Sequence, residues 1–112
     1  MNLTAHQQWL INFYQKRGWY QLSPFIRVNF ISEEVGELSR AVRAIEIGRD
    51  HPGEQPRSAT QLHDNLIEEL GDITDQVLVL AAKYDIKPDE LLRYSEQKLT
   101  RRFANEDSVD DE

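Results

Sequence analysis

Apolar residues recur at helical spacing in four segments of this chain, and no segment keeps a sustained alternation of apolar and polar residues. The four predicted helices span about residues 4–17, 24–47, 60–84 and 88–104. The stretch GRDHPGEQPRS (48–58), with two prolines and two glycines, is the loop-like segment between the second and third. The pattern predicts an all-α fold, a four-helix bundle with two long central helices that lie antiparallel.

Local signals mark the ends of these helices. Thr4 and Gln7 are spaced as a capping box at the start of the first helix, and Gly18 suits the C′ position at its end. Ser23 followed by Pro24 is typical of an N-cap with proline at the first helical position. These signals predict where the first helix begins and ends and where the second helix begins.

The two long helices each carry an apolar stripe. The stripe residues are Ile31, Val35, Leu38, Val42 and Ile45 on the second helix and Leu66, Leu70, Ile73, Val77, Leu80 and Tyr84 on the third. We expect these stripes to pack together as the core. The third helix is also apolar on another side, at Leu78, Val79 and Ala82, and we expect a second copy of the chain to cover that patch. The prediction is a homodimer or homotetramer with the third helix in the interface.

Length and composition narrow the class of protein. The 112 residues fit one domain, over about 1–104, followed by an acidic tail (105–112) that we expect to be disordered. The absence of cysteine excludes disulfides and thiol catalysis. No apolar run reaches the ~20 residues of a membrane span, and the N-terminus does not resemble a signal peptide. We therefore expect a cytoplasmic protein without a membrane partner.

The net charge of −7 is concentrated rather than spread. Five acidic residues lie within the last nine positions, and two compact acidic motifs lie inside the chain at 33–37 and 68–72. An acidic surface repels phosphate backbones, so we do not expect a nucleic-acid polymer as partner.

An internal repeat relates the two acidic motifs. The segment EEVGELSRAV (33–42) aligns with EELGDITDQV (68–77), so that the acids and the glycine of each copy match. Glu34 and Glu37 lie on one flank of their stripe, and Glu69 and Asp72 lie on the same flank of theirs. Antiparallel packing of the stripes would make these four carboxylates converge, which is unfavourable without a cation. Oxygen ligands without histidine or cysteine favour Mg²⁺, with Mn²⁺ as the alternative, and the absence of E-x-x-H argues against a di-iron site.

Two further features accompany the acidic motifs. Gly36 and Gly71 are costly inside helices, and we expect them to allow close backbone approach or to leave room for a ligand. The fourth helix carries Lys98, Arg101 and Arg102 within two turns, a group that could bind phosphates or could simply complement the helix dipole. The chain has no G-x-x-x-x-G-K-[ST], so any phosphate site is not a P-loop.

Together, EEVGE (33–37), EELGD (68–72) and KLTRRF (98–103) resemble the MazG-like all-α nucleoside triphosphate pyrophosphohydrolases over roughly residues 24–103. The resemblance implies hydrolysis of the α–β bond of a nucleoside triphosphate to a monophosphate and pyrophosphate. It implies Glu34, Glu37, Glu69 and Asp72 as magnesium ligands, Glu33 and Glu68 as groups that orient ligands or water, and the three cations as phosphate contacts. Catalytic roles are therefore expected for Glu33, Glu37 and Glu68, and the choice of base is open. Ser95 stands where family members often have asparagine, and 48–59 matches no base-reading motif.

Two residues of the second helix are further candidates for substrate binding. Phe30 lies one turn before Glu34 on the same flank and is the best candidate for stacking on a base. Arg27 falls on the apolar stripe, where a buried arginine needs an anion; this is either the substrate or an internal carboxylate.

Other functions fit the same sequence. The chain could be a non-catalytic helical oligomer that binds a partner through an exposed helix face. It could also be a related enzyme, such as a phosphoribosyl-ATP pyrophosphohydrolase or a dUTP- or dCTP-specific member of the family.

Overall fold

The computed structural model describes residues 1–48, 52–53 and 55–106. Within these ranges the chain forms four helices and no strand: α1 (Leu3–Lys16), α2 (Pro24–Glu46), α3 (Ala59–Lys83) and α4 (Pro88–Arg102). The all-α prediction is confirmed, and the helix ends lie within two residues of their predicted positions. Most of the acidic tail and part of the predicted 48–58 loop lie outside the described residues.

The predicted capping box at Thr4 and Gln7 is wrong. The N-cap of α1 is Asn2, whose side chain accepts a hydrogen bond of 2.8 Å from the backbone N–H of Ala5. Gln7 is instead buried, and its Nε2 donates to the carbonyl oxygens of Leu78 and Ile86 at 3.0 Å each. The side chain that local spacing assigned to the cap of α1 thus anchors that helix to the end of α3.

Helices α2 and α3 form an antiparallel pair. Arg27, near the start of α2, reaches Gln76 on the second half of α3, while Glu34, further along α2, lies beside Glu69, earlier on α3. The contacts therefore run in opposite order along the two helices, and the predicted antiparallel arrangement is observed. A capping box of Ser58 and Gln61, in which each side chain bonds the other's backbone N–H, fixes the start of α3.

The best-buried core lies where α1 crosses the second half of α3. Leu10, Leu78 and Val79 are 2%, 3% and 0% exposed, and Tyr14 and Tyr20 pack against them. The prediction that Leu78 and Val79 form an uncovered patch is wrong, because α1 of the same chain covers them. Ala82 is half-buried as well.

The apolar stripes of α2 and α3 are less covered than predicted. Val35, Val42, Leu70 and Val77 retain 50%, 42%, 48% and 39% of their exposure within the chain. The radius of gyration is 18.4 Å, whereas a compact chain of about 100 residues has about 13 Å. Helix α4 packs chiefly against α1 and not into the α2–α3 pair. The chain is therefore more open than a closed four-helix bundle.

In the described part of the chain, none of the helices has the length and apolar composition that crossing a membrane requires.

Candidate metal centre

Three carboxylates meet where α2 and α3 face each other. Glu34 of α2 and Glu69 and Asp72 of α3 each offer one oxygen, and these oxygens lie within 4.8 Å of one another. The i, i+3 spacing of Glu69 and Asp72 places both on one flank of α3. All three side chains are half-buried. The convergence that the repeat predicted is thus observed for three of its four members.

Burial and mutual repulsion raise the pKa of each of these carboxyl groups. For Glu34, burial is the main cause of the raised pKa, followed by the charges of Asp72 and Glu69 and a hydrogen bond with Glu69. That hydrogen bond lowers the pKa of Glu69, while burial and the charge of Asp72 raise it overall. Burial, then the charges of Glu68 and Asp75, raise the pKa of Asp72.

One oxygen of this cluster has no partner. Glu69 Oε2 is buried and accepts no hydrogen bond. A buried carboxylate oxygen without a donor costs free energy. A divalent cation would satisfy that oxygen and compensate the repulsion that raises the three pKa values. The donor set is all carboxylate, which is the type that Mg²⁺ and Mn²⁺ prefer, so these residues fit such an ion.

The other acids of the two motifs lie at the edge of this cluster. Glu37 is exposed and is not among the three residues that converge, although its charge raises the pKa of both Glu34 and Glu69. Glu68 is exposed and raises the pKa of Glu69 and Asp72. Glu33 is exposed on α2. Glu37 and Glu68 are therefore near enough to act on the cluster through their charge.

The glycines of the two motifs face open space. A Cβ atom added at Gly36 or Gly71 would meet nothing within 4 Å. The expectation that they allow close backbone approach is wrong within the single chain. Both glycines are exposed, so open space next to the acidic motifs is what they provide.

Arg27 is 2% exposed and pairs with no carboxylate in the described residues. One terminal nitrogen donates to the carbonyl oxygen of Trp19 and the other donates to Gln76 Oε1 at 3.3 Å, while Nε has no partner. The guanidinium carbon lies 4.9 Å from the ring centroid of Tyr14 and 5.7 Å from that of Phe30. The internal ion pair considered for Arg27 is wrong for this part of the chain, and burial lowers the pKa of the guanidinium.

The basic residues of α4 do not meet the acidic cluster within one chain. Arg101 and Arg102 are exposed and Lys98 is half-buried, on a helix that packs against α1. Across the described residues, no ion pair joins these cations to the cluster. Their role in phosphate binding stays a prediction.

Sequence reasoning missed the residues that link α1 to this site. His6 Nε2 lies 2.8 Å from Asp75 Oδ1, and Asp75 lies one turn beyond Asp72 on α3. The sequence carried one signal for Asp75. Its partner in the internal repeat is Arg40, so the two copies have opposite charges at this position. Tyr14 is also close, because Asp75, Asp72 and Glu34 all contribute to raising its pKa after burial.

The described residues thus form an all-α chain in which three carboxylates converge across two antiparallel helices. The family model for the MazG nucleotide pyrophosphohydrolase domain matches residues 26–105, so the chain belongs to this family. The resemblance seen in the sequence is confirmed.

Two relatives come from Bacillus subtilis (strain 168). The chain is 46% identical over 105 residues to the uncharacterized protein YvdC, covering 94% of this chain and 99% of that protein. It is 33% identical over 75 residues to the uncharacterized protein YpjD, covering 67% of this chain and 60% of that protein. No solved structure matches the chain.

Proposed function

We propose that the chain is a Mg²⁺-dependent nucleoside triphosphate pyrophosphohydrolase, cleaving the α–β bond of an NTP or dNTP to a nucleoside monophosphate and pyrophosphate. The observation that carries the proposal is the cluster of Glu34, Glu69 and Asp72, whose oxygens lie within 4.8 Å, in a chain of the MazG family. The unpartnered Glu69 Oε2 and the raised pKa values of all three acids support a cation there.

Glu34, Glu37, Glu69 and Asp72 are the proposed ligands, with Glu37 turning inwards from the exposed edge. When bound, Mg²⁺ would polarise the phosphate oxygens and favour ionisation of a water molecule. Mn²⁺ would serve the same donor set.

The remaining acids and the cations have proposed roles in the displacement. A water oxygen forms a bond to the α-phosphorus as the bond from that phosphorus to the bridging oxygen breaks, and pyrophosphate leaves with the electron pair. Glu33, Glu37 and Glu68 are the candidates to orient that water and accept its proton. Lys98, Arg101 and Arg102 would hold the charge of the departing pyrophosphate, and Arg27 and Phe30 would contact the substrate.

We also propose that the chain works as a homodimer or homotetramer. Large apolar side chains stay uncovered on α2, α3 and α4 and at the C-cap of α2: Phe25 (85%), Ile47 (76%), Tyr94 (70%), Ile67 (56%), Val35 (50%) and Leu92 (50%). Monomers seldom expose this much apolar surface, and a two-fold pairing would cover the same patch on both copies. A second copy could also bring the cations of its α4 to the acidic cluster, which the single chain does not do.

A nucleotide panel tests the enzymatic proposal. The wild-type chain is incubated with the four NTPs, the dNTPs including dUTP and dCTP, and phosphoribosyl-ATP, with Mg²⁺, with Mn²⁺ or with chelator. We expect pyrophosphate and monophosphate as products only when the metal is present. Orthophosphate as the first product, or turnover in chelator, would contradict the mechanism. Absence of turnover on every substrate would favour a non-catalytic interaction protein.

Sedimentation of the same preparation tests the assembly. We expect a species of two or four chains at micromolar concentration. A stable monomer would contradict the proposal, because the exposed apolar residues would then stay in water.

A further inference from the structure

A row of aromatic rings projects from the outer face of α1. The rings of His6 and Trp9 are nearly parallel, with centroids 5.9 Å apart, and those of Trp9 and Phe13 are 5.0 Å apart at 21°. The guanidinium carbon of Arg17 closes the row 3.5 Å from the centroid of Phe13. Trp9 is nevertheless 55% exposed. A large ring held by its neighbours but open to solvent offers a rigid surface for stacking.

A pocket of about 510 Å³ opens beside Trp9 at the His6 end of this row. Its lining consists of Met1, Ala5, His6 and Trp9, and it is mostly apolar. The volume lies within the range of about 300–1,000 Å³ that small-molecule sites occupy. A flat heteroaromatic ring fits both this volume and this lining.

A hydrogen bond between His6 and Asp75 links the pocket to the carboxylate cluster. His6 Nε2 lies 2.8 Å from Asp75 Oδ1, and Asp75 is one helical turn from Asp72. The hydrogen bonds from the neighbouring Gln7 to the carbonyl oxygens of Leu78 in α3 and Ile86 just after α3 hold α1 in this position. His6, which forms part of the pocket wall, is therefore held one helical turn of α3 away from Asp72 of the carboxylate cluster.

We propose that the base of the nucleotide binds in this pocket, stacked on Trp9, while its phosphates face Glu34, Glu69 and Asp72. This inference rests on the proposed function, since the phosphate end is placed by the proposed metal centre. It differs from the expectation for Phe30, whose ring lies 5.7 Å from the guanidinium carbon of the buried Arg27.

The chemistry of the pocket also predicts its selectivity. His6 and Trp9 are the lining side chains with ring nitrogens, and Asp75 already holds Nε2 of His6. With so few groups to read the edge of a base, binding depends on stacking, which every base can provide. We therefore expect the enzyme to accept purine and pyrimidine nucleotides with KM values within about tenfold of one another.

Trp9→Ala is the test, with Trp9→Phe as the variant that keeps a stacking ring and Tyr84→Ala as the control for loss of an exposed aromatic ring at the end of α3. Stacking of a base on an aromatic side chain corresponds to about a tenfold change in affinity or more. We expect Trp9→Ala to raise KM for nucleoside triphosphates by about tenfold, Trp9→Phe to restore most of the affinity, and Tyr84→Ala to leave KM unchanged.

Inorganic tripolyphosphate with Mg²⁺ separates base from phosphate recognition, because it carries no base. Its inhibition constant should be the same for wild type and Trp9→Ala. Equal KM values in wild type and Trp9→Ala would overturn the base site. So would a matching loss for tripolyphosphate, or a change in sedimentation without a change in nucleotide affinity, which would make the ring row an interface between copies.

Failure of the proposed function would be seen separately. If the wild type releases no pyrophosphate from any nucleotide, calorimetry of ATP with Mg²⁺ on wild type and Trp9→Ala still tests the base site. Weaker binding by Trp9→Ala alone supports it, and equal or absent binding overturns it.

Discussion

The two halves of α3 differ in the burial of their apolar side chains and in their charge. In the second half, Leu78 and Val79 are 3% and 0% exposed and pack with Leu10 of α1. In the first half, Ile67 and Leu70 keep 56% and 48% of their exposure. That half also brings Glu69 and Asp72 against Glu34 across the α2 interface.

The covered half of α3 stabilises the folded chain, whereas the acidic half destabilises it. Burial of apolar area and satisfied backbone carbonyls stabilise the covered half. The acidic half holds like charges together and leaves Glu69 Oε2 without a partner, and both features destabilise the chain in the absence of a cation. Placing both on one continuous helix lets the covered half hold the acidic half in position.

Two valines two residues apart give the sharpest test of this comparison. Val79→Lys would bury an unpaired ammonium group in the core, and we expect the free energy of unfolding to fall by several kcal/mol, about 3–5. Val77 is 39% exposed, so Val77→Lys should keep the helical fold and weaken assembly instead. Circular dichroism with urea and sedimentation would check both. A folded Val79→Lys chain with wild-type stability would contradict the assignment of the core.

Removing one acid should separate activity from stability. We expect Asp72→Asn to lower Mg²⁺-dependent turnover by on the order of 100-fold or more, as loss of one electrostatic group from a catalytic site does. Because repulsion is relieved, the free energy of unfolding without metal should be unchanged or higher. Asp64→Asn, an exposed position on the same helix, is the matched control and should keep full activity. Pyrophosphate release and urea unfolding are the measurements, and wild-type turnover by Asp72→Asn would refute the assignment.

A matched pair of substitutions, Gln7→Ala and Gln8→Ala, tests what holds α1 in place. Gln7→Ala removes both hydrogen bonds to the carbonyls of Leu78 and Ile86, and we expect a loss of about 1–3 kcal/mol in the free energy of unfolding. Gln8 makes only an exposed hydrogen bond to Asn12, so Gln8→Ala should change it by less than about 0.5 kcal/mol. Equal effects in urea titrations would show that the two bonds do not secure α1.

The smallest expected effect is a pH dependence of the metal-free chain. The raised pKa values of Glu34, Glu69 and Asp72 mean that the folded state binds more protons than the unfolded state just above their ordinary pKa range. The free energy of unfolding should therefore fall as pH rises from about 5 to about 7.

Saturating Mg²⁺ should remove much of that fall, and the Glu69→Gln chain should show a smaller fall without metal. Thermal unfolding at several pH values, with and without Mg²⁺, measures both. A metal-free stability that rises over the same interval would contradict the raised pKa values.

Much of the local structure could be predicted because its signals are local. Helical spacing of apolar residues, Ser23–Pro24 and Gly18, whose φ is +72°, marked helix positions and ends. The acidic repeat placed Glu34, Glu69 and Asp72 on matching flanks before any packing was known. The error at Thr4 and Gln7 arose because a glutamine three residues after a threonine satisfies the capping pattern regardless of what α3 offers it.

The sequence by itself determined the four helices and the phase of the acidic motifs, since both depend on residues within a few turns of each other. Only the tertiary structure decided which apolar side of α3 is buried. The sequence pattern does not distinguish Leu78 and Val79 from Val77. Their burial depends on where α1 packs against α3. That position is set by partners about 70–80 residues apart, His6 with Asp75 and Gln7 with Leu78 and Ile86. Such long-range contacts leave no periodic pattern in the sequence, so the ring row of α1 and its link to the carboxylate cluster could be seen only in the tertiary structure.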